Sequence, residues 1–360
     1  MIHLDTLSRE WIMYVRGKIK GSDPGIIERL LRAYYLVEQL VKYDLEFVFK
    51  GGTCLTLLTH KPQRFSTDVD VITQVKRGDL ESILTQIVTN SAFEGFELDD
   101  RRSYQEGIPK AHYALKFDSV VNGRPTDIQL DLLFTDNAYP EILETPIMSA
   151  FIKMKGDPFR VQTPSLDGLM GDKLTAFAPN TVGIRYGTRK ELEIIKQLYD
   201  LNKLFDEIQS FEKVAASFDA HVVKELQYRS ELMADRELVL KDMLDTCVLI
   251  SKSDSQVNEV DKSRFEEIKR GLRSFRGFTI NQAFRNEETQ VAISKVALVT
   301  AKLLKGDLSP LPTVSNNVQH TEFHISNENE KYRYLNKKLR SVEPKAQFFW
   351  YSALKVLGEL

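Results

Sequence analysis

Two aspartates separated by one residue, Asp68 and Asp70, are the residues whose type and spacing most clearly suggest chemistry. Side chains alternate along a β-strand, so the two carboxylates point to one face while Val69 and Val71 occupy the opposite, buried face. Like charges held this close repel one another unless a cation lies between them. Because Mg²⁺ typically takes one or two carboxylates and completes its shell with water and phosphate oxygens, the pair predicts a Mg²⁺ site, with Mn²⁺ as the alternative ion.

A glycine pair precedes these acids, in the segment Lys50-Gly51-Gly52-Thr53. It follows a short predicted strand, Phe47–Phe49, and leads into a short helix predicted from Thr53 to Thr59. Glycine lets the backbone approach a ligand closely, and the first amides of a helix attract anions. We therefore expect Gly51, Gly52 and Thr53 to bind phosphate groups, with Thr53 adding a hydroxyl donor.

A Mg²⁺ site beside a phosphate-binding turn suits nucleotidyl transfer. That reaction needs carboxylates, a metal that neutralises the triphosphate and often a second metal for the attacking hydroxyl, so a third acid is expected. The best candidate is Asp131, which stands between Leu130 and Leu132 in a predicted strand, where a lone charge is costly. Asp127 is the alternative, since it lies nearer the turn and fits a solvated strand start. Asp131 is accordingly the third predicted metal-binding and catalytic acid.

Short strands and helices alternate through residues 1–160. Ser22, Asp23 and Pro24 mark the start of a helix with an apolar stripe, and Asn122-Gly123 predicts a hairpin turn. The predicted strands are Phe47–Phe49, Asp68–Ile72, His112–Phe117 and Thr126–Phe134. This pattern predicts an α/β (α+β) fold with a small mixed sheet in an N-terminal domain, residues 1–160.

Helical patterns dominate after Thr163-Pro164-Ser165, which predicts a mostly helical C-terminal domain over residues 161–360. Two of its predicted helices are long, Val222–Lys252 and Thr279–Lys305. The others are Leu166–Phe177, Arg189–Asp206, Ile208–Phe218, Ser263–Phe275 and Lys345–Leu360.

The composition is typical of a core-forming globular protein, with 42% hydrophobic and 28% charged residues and a formal net charge of −2. This charge argues against a protein that coats nucleic acid through its overall field. Two cysteines, Cys54 and Cys247, are too few for a disulfide framework. No apolar run is long enough to span a membrane, and Met1–Trp11 lacks an apolar signal core, so a cytoplasmic protein without a membrane partner is expected.

Taken together, the strand, Gly-Gly-Thr, short helix and Arg64-Phe65-Ser66-Thr67-Asp68-Val69-Asp70-Val71 pattern resembles the AbiEii/AbiGii toxin family of the DNA polymerase β-like nucleotidyltransferases. Two later blocks agree with this family. Asp172-Lys173-Leu174-Thr175-Ala176 looks like its Lys-Leu-x-Ala helix, and Lys196-Gln197-Leu198-Tyr199-Asp200-Leu201 looks like its Arg-Asp-x-x-Asp-Leu helix. The resemblance covers roughly residues 25 to 205.

The resemblance implies a nucleotidyltransferase domain that uses an NTP. Lys173 would neutralise nucleotide phosphate and Asp200 would be a catalytic or supporting acid, while Gly51, Gly52, Thr53, Ser66 and Lys173 would belong to the nucleotide site. Arg64 is assigned there too, although a salt bridge to Asp68 or Asp70 suits it equally well. Gln197 replaces the acid expected before Asp200, and residues 179–188 look like an insertion between the two helical blocks.

The family also implies a toxin of type IV toxin–antitoxin and abortive-infection systems, with an antitoxin partner. Some members transfer nucleotides to the 3′ end of tRNA, which makes tRNA the expected acceptor and translation the expected target. Basic stretches at residues 262–276 and 331–345, interleaved with Phe265, Phe275, Tyr332 and Tyr334, are candidate RNA-binding segments. Solvated helix faces or an antitoxin surface are the alternatives. A small-molecule or protein acceptor and an inactive binding protein also remain open.

Overall fold

The computed structural model describes residues 1–19, 22–59, 63–103, 108–229, 232–280, 284–314, 319–339, 342 and 344–360. These residues divide into two compact units. The first unit contains Met1–Ser165 and residues 277–280. The second unit contains the described residues of Leu166–Arg276 and Phe284–Leu360.

Two helices of the first unit, which begin at Arg9 and Pro24, start at capping side chains, those of Ser8 and Asp23. Asp23 Oδ1 accepts hydrogen bonds from the Gly25 and Ile26 amides at 2.7 and 3.2 Å, and Pro24 is the first residue of its helix, as predicted. The apolar stripe of this helix is buried. The helices are Arg9–Lys18 (α1), Pro24–Lys42 (α2), Gly51–Leu58 (α3), Arg77–Asn90 (α4) and Asp100–Ser103 (α5).

The strands of the first unit form one mixed sheet. They are Val48–Lys50 (β1), Val69–Thr73 (β2), Gly95–Leu98 (β3), Lys110–Asp118 (β4), Pro125–Phe134 (β5), Ile142–Pro146 (β6) and Arg160–Pro164 (β7). Among the described residues the order is β3-β4-β5-β2-β1-β7-β6. The pairs β2–β5 and β1–β7 are parallel, and the other neighbours are antiparallel. The small mixed sheet predicted from the sequence is therefore confirmed, although β3, β6 and β7 were not predicted.

A segment from late in the chain returns to the first unit. The Phe65 amide donates to the Phe278 carbonyl, and the Ile280 amide donates to the Gln63 carbonyl, both at 2.8 Å. A β-bridge joins Arg64 to Thr279 between them. The sequence-based division into residues 1–160 and 161–360 did not include this return, because backbone pairing over such a separation leaves no local pattern.

The second unit is helical in its described part. Two predicted helices differ from the structure. The stretch 222–252 holds the end of one helix and a second helix capped by Asp235, whose Oδ1 accepts from the Leu238 amide at 2.8 Å. The helix predicted from Thr279 begins at Asn286 instead. The helices are Leu166–Ala176 (α6), Glu191–Glu207 (α7), Phe211–Tyr228 (α8), Arg236–Ser251 (α9), Lys262–Phe275 (α10), Asn286–Lys305 (α11), Tyr334–Lys338 (α12) and Pro344–Leu357 (α13).

A membrane-spanning helix is absent from the described part of the chain, since none of its helices is both long and apolar enough.

Candidate active site

A row of polar side chains crosses one face of the sheet in the first unit. Strand register pairs Lys50 with Asp70, Asp70 with Asp131, and Asp131 with His112. Register partners on adjacent strands point to the same face, so these four residues of β1, β2, β5 and β4 share it. Their neighbours on the opposite face include Val71 and Leu130, both fully buried. Asp70 and the predicted third acid are thus neighbours across a parallel strand pair.

The Asp70 carboxylate lies against Gly51, the first residue of α3. A Cβ atom at Gly51 would stand 2.0 Å from Asp70 Oδ2, and Gly51 has a φ of +79°. Only glycine meets both requirements, because a side chain is strained in the left-handed region and would collide with the carboxylate. The glycine therefore brings Asp70 to the start of a helix, where free amides and the helix dipole attract anions.

We expect Gly51→Ala to lower nucleotide transfer by about 10²-fold or more, the scale associated with a misplacement of about 1 Å. The physical reason is displacement of the Asp70 carboxylate by the new methyl group. Gly123→Ala is the matched control, since Gly123 also has a positive φ, +67°, but has open space around it. Both changes should cost about 1 to 2 kcal/mol of stability. Equal activity of the two variants in a transfer assay would contradict a role for the Gly51 and Asp70 contact.

The next glycine lies beneath two further predicted nucleotide-binding residues. A Cβ at Gly52 would stand 2.6 Å from both Arg64 Nη2 and Ser66 Oγ. The Arg64 side chain is buried, and its Nη1 donates to the Phe65 carbonyl at 2.8 Å. A guanidinium and a hydroxyl therefore meet the backbone at the start of α3, which is a donor-rich arrangement suited to phosphate oxygens.

Thr53 supports the aspartate pair instead of presenting its hydroxyl. Its side chain is fully buried, and Oγ1 donates to the Asp68 backbone carbonyl at 2.6 Å. This bond fixes the chain just before β2, where Asp68 is exposed. The side-chain donor expected for phosphate is therefore engaged with protein, while the Thr53 amide belongs to the first turn of α3.

Asp131 is held by two side chains that sequence reasoning did not assign. His112 Nδ1 lies 2.6 Å from Asp131 Oδ1, and Arg102 Nη2 lies 3.2 Å from Asp131 Oδ2. Arg102 Nη1 also donates to Gln129 Oε1 at 2.8 Å. The His112 Nε2 atom is buried without a hydrogen-bond partner among the described residues. Arg102 and His112 therefore orient this carboxylate, and no local sequence pattern marked either of them as a partner of Asp131.

The remaining predicted residues lie in the second unit, where Lys173 of α6 and Asp200 of α7 form an ion pair. Lys173 Nζ is 2.8 Å from Asp200 Oδ2 and 3.3 Å from Gln197 Oε1. Both charged side chains are almost fully buried, at 6% and 2% exposure. Gln197, which stands where the family pattern has an acid, thus supplies a neutral acceptor to the same lysine.

Each unit therefore gathers its own predicted residues. The first unit brings together Gly51, Gly52, Thr53, Arg64, Ser66, Asp68, Asp70 and Asp131, and the second joins Lys173 to Asp200. Within the described ranges, no group of three or more His, Cys, Asp or Glu side chains is arranged to hold a metal ion. Asp68 and Asp70 are accordingly a pair of candidate metal ligands, with Asp131 engaged by Arg102 and His112.

A comparison with models of known protein families identifies the family of this chain. The family model described as nucleotidyl transferase AbiEii toxin, type IV TA system, matches residues 34–290 of the chain. The chain belongs to this family. It is a nucleotidyltransferase toxin of a type IV toxin–antitoxin family, as the sequence motifs predicted.

Several solved structures resemble this AbiEii family member at low sequence identity. A candidate nucleotidyltransferase from H. pylori is 15% identical, with a TM-score of 0.43, and the match covers 79% of this chain and 96% of that one. JHP933 from Helicobacter pylori is 16% identical, with a TM-score of 0.36, covering 71% and 99%. An antigenic nucleotidyltransferase-like protein from Paracoccidioides brasiliensis is 16% identical, with a TM-score of 0.36, covering 57% and 90%. No curated protein sequence matches the chain.

The two basic stretches of this AbiEii family member do not form aromatic stacking surfaces. Phe265, Phe275 and Tyr332 are buried, and the Tyr334 hydroxyl is hydrogen-bonded to Ser251. Many cations of the first stretch are paired with acids, as in the ion pairs Lys262–Glu259, Arg264–Asp261, Lys269–Asp254 and Arg270–Glu191. Arg340 of the second stretch lies outside the described residues. These aromatic side chains therefore pack within the helical unit and do not offer stacking surfaces to RNA bases.

Proposed function

We propose that this toxin is a Mg²⁺-dependent enzyme that transfers NMP from an NTP to the 3′-terminal hydroxyl of tRNA and thereby inhibits translation and growth. The observation that carries the proposal is the contact of the Asp70 carboxylate with Gly51 at the start of α3. It sets a carboxylate beside helix amides, the combination that a metal-bound triphosphate needs. Membership of the AbiEii family supports the same chemistry.

The residues present fit a divalent cation. Asp68 lies immediately before β2 and Asp70 within it, and the space over Gly51 that a Cβ would fill admits the Asp70 carboxylate. We propose that these two acids hold Mg²⁺, or Mn²⁺ in its place. When bound, the ion supplies charge neutralisation to the triphosphate.

The chain's own residues would bind and orient the NTP. The amides at the start of α3, together with Arg64 and Ser66 over Gly52, donate hydrogen bonds to the phosphate oxygens. Lys173, which is paired with Asp200, is proposed to offset further phosphate charge. Gly52 leaves room for these two donors beside the start of α3, because a side chain at this position would displace Arg64 and Ser66.

Asp131 is proposed to accept the proton of the attacking hydroxyl. The acceptor oxygen forms a bond to the α-phosphorus, the bond from that phosphorus to the β-bridging oxygen breaks, and pyrophosphate leaves. Arg102 and His112 hold the Asp131 carboxylate in position beside Asp70. Because these two partners fix its orientation, the Asp131 carboxylate can act as a general base without rearranging during the reaction.

The test is transfer of α-³²P label from each of the four NTPs to total tRNA. We expect label on tRNA in the presence of Mg²⁺ with the preferred NTP, and none in EDTA. tRNA whose 3′-terminal ribose has been oxidised with periodate is the matched control acceptor, because it lacks the proposed nucleophile. Label on oxidised tRNA would contradict the 3′ end as the site. Absence of label with every NTP, despite NTP binding, would instead favour a small-molecule or protein acceptor.

A further inference from the structure

The loop between α6 and α7, residues 177–190, is held to the helical unit by hydrogen bonds near both of its ends. The Asn180 amide donates to Asp242 Oδ2 at 2.8 Å, and Thr181 Oγ1 donates to the same oxygen at 2.9 Å. At the other end, the Gly187 amide donates to Glu267 Oε2 of α10 at 2.8 Å. Residues 179–188 of this loop are the segment that looked like an insertion in the family pattern. The loop has a fixed shape because both of its ends are tied to neighbouring helices.

The outer part of this loop is basic and exposed. Arg185, Arg189 and Lys190 are all exposed, and residues 185–190 contain no acid. Arg264 of α10, which is paired with Asp261, lies 5.8 Å from the Tyr186 ring centre beside this loop. The acids close to this surface include Glu191, Glu267 and Asp261. Glu191 pairs with Arg270, Glu267 accepts the Gly187 amide, and Asp261 pairs with Arg264.

Arg189 occupies a backbone conformation that its side chain does not favour. Its φ is +59°, in the left-handed region that glycine and asparagine adopt at lower cost. Arg189 is exposed, so burial of its side chain does not offset that cost. Unfavourable backbone conformations cluster at binding sites and switch regions, which makes Arg189 a candidate binding residue.

We propose that the basic loop, residues 185–190, binds the phosphate backbone of the acceptor RNA. This inference rests on the proposed function, because it concerns the acceptor of the same reaction. Exposed cations spread over a fixed loop suit successive phosphates of a chain, whereas a single triphosphate is better held in an enclosed cradle. The loop also joins α6 and α7, which carry Lys173 and Asp200, so bound RNA would contact the connection between these helices.

The test compares a loop variant, Arg185→Gln with Arg189→Asn and Lys190→Gln, against a control variant, Lys337→Gln with Lys338→Gln. Binding of total tRNA is measured over a range of salt concentrations. The loop variant should bind at least about tenfold more weakly, and its slope of log K against log salt should flatten by about 0.7 to 0.9 for each phosphate that the loop no longer neutralises. Arg189→Asn alone should leave the melting temperature unchanged or raised. NTP binding should stay the same in every variant.

The outcomes separate this inference from the proposed function. Unchanged tRNA affinity and slope in the loop variant, with normal label transfer by the unmodified protein, would overturn the loop assignment alone. Weakened tRNA binding by the loop variant, with no NMP transferred from any NTP to tRNA by the unmodified protein, would support RNA binding by the loop and reject tRNA as the acceptor. An equal loss in the control variant would show that RNA binding is not specific to the loop and would also overturn the assignment.

Discussion

Asp70→Asn is expected to lower nucleotide transfer by about 10²- to 10³-fold, the scale for losing one preorganised electrostatic contact to the transition state. Asparagine is nearly isosteric, so it can keep its place against Gly51 while removing the negative charge proposed to hold the metal. The melting temperature should therefore change little. Transfer of α-³²P label to tRNA and titration with Mg²⁺ and NTP measure the two effects separately.

Asp127→Asn is the matched control for this substitution. Asp127 lies on the same strand as Asp131, is also partly buried, and accepts a hydrogen bond from Gln129 Nε2 at 2.7 Å. It was the alternative third acid in the sequence, so its substitution also tests that choice. We expect transfer within about threefold of the unmodified protein, because single surface substitutions have small effects. Activity retained in Asp70→Asn, or lost equally in both variants, would reject Asp70 as a metal ligand.

The strand pair β4–β5, which carries Asp131, shows which features a local sequence pattern can predict. Asn122-Gly123 correctly predicted a hairpin between β4 and β5. A two-residue turn there would place Asp131 opposite Ala114, whereas the longer loop, residues 119–124, places it opposite His112. The face of the sheet is the same in both registers, because the shift is by two residues.

A contact from α2 accounts for the longer loop. The two carboxylate oxygens of Glu28 accept hydrogen bonds from Ser119 Oγ at 2.6 Å and from the Val120 amide at 2.8 Å. This tertiary contact holds residues 119–124 in a loop that local turn chemistry does not specify. The partner of Asp131 could therefore not be predicted from the hairpin motif alone.

The strands that were not predicted are short and weakly patterned. β6 and β7 both end in proline and pair with each other, and a buried hydrogen bond of 2.7 Å joins Thr145 to Thr163. Their place in the sheet comes from pairing, since β7 adds in parallel to β1. The motif residues around Gly51 and Asp70 were predictable because one local stretch of sequence carries both the glycines that the turn requires and the carboxylates. Arg102 was not predictable, since only the folded chain brings it to Asp131.

The second large effect is expected at the buried pair of Lys173 and Asp200. Lys173→Met or Asp200→Leu alone should lower the free energy of unfolding by about 3 to 5 kcal/mol, because each leaves an uncompensated buried charge. For the helical unit this corresponds to a fall in melting temperature on the order of 10 °C. The control is Glu237→Gln, which breaks an exposed pair with Lys241 and should leave the melting temperature unchanged within error.

The double variant, Lys173→Met with Asp200→Leu, separates a structural pair from a functional one. Replacing both charges by apolar side chains removes the uncompensated charge, so most of the lost stability should return. Label transfer should not return, because Lys173 is proposed to offset phosphate charge and methionine cannot do so. A double variant that is both stable and as active as the unmodified protein would show that the pair only supports the fold. A stable, inactive double variant would place the pair in the catalytic machinery.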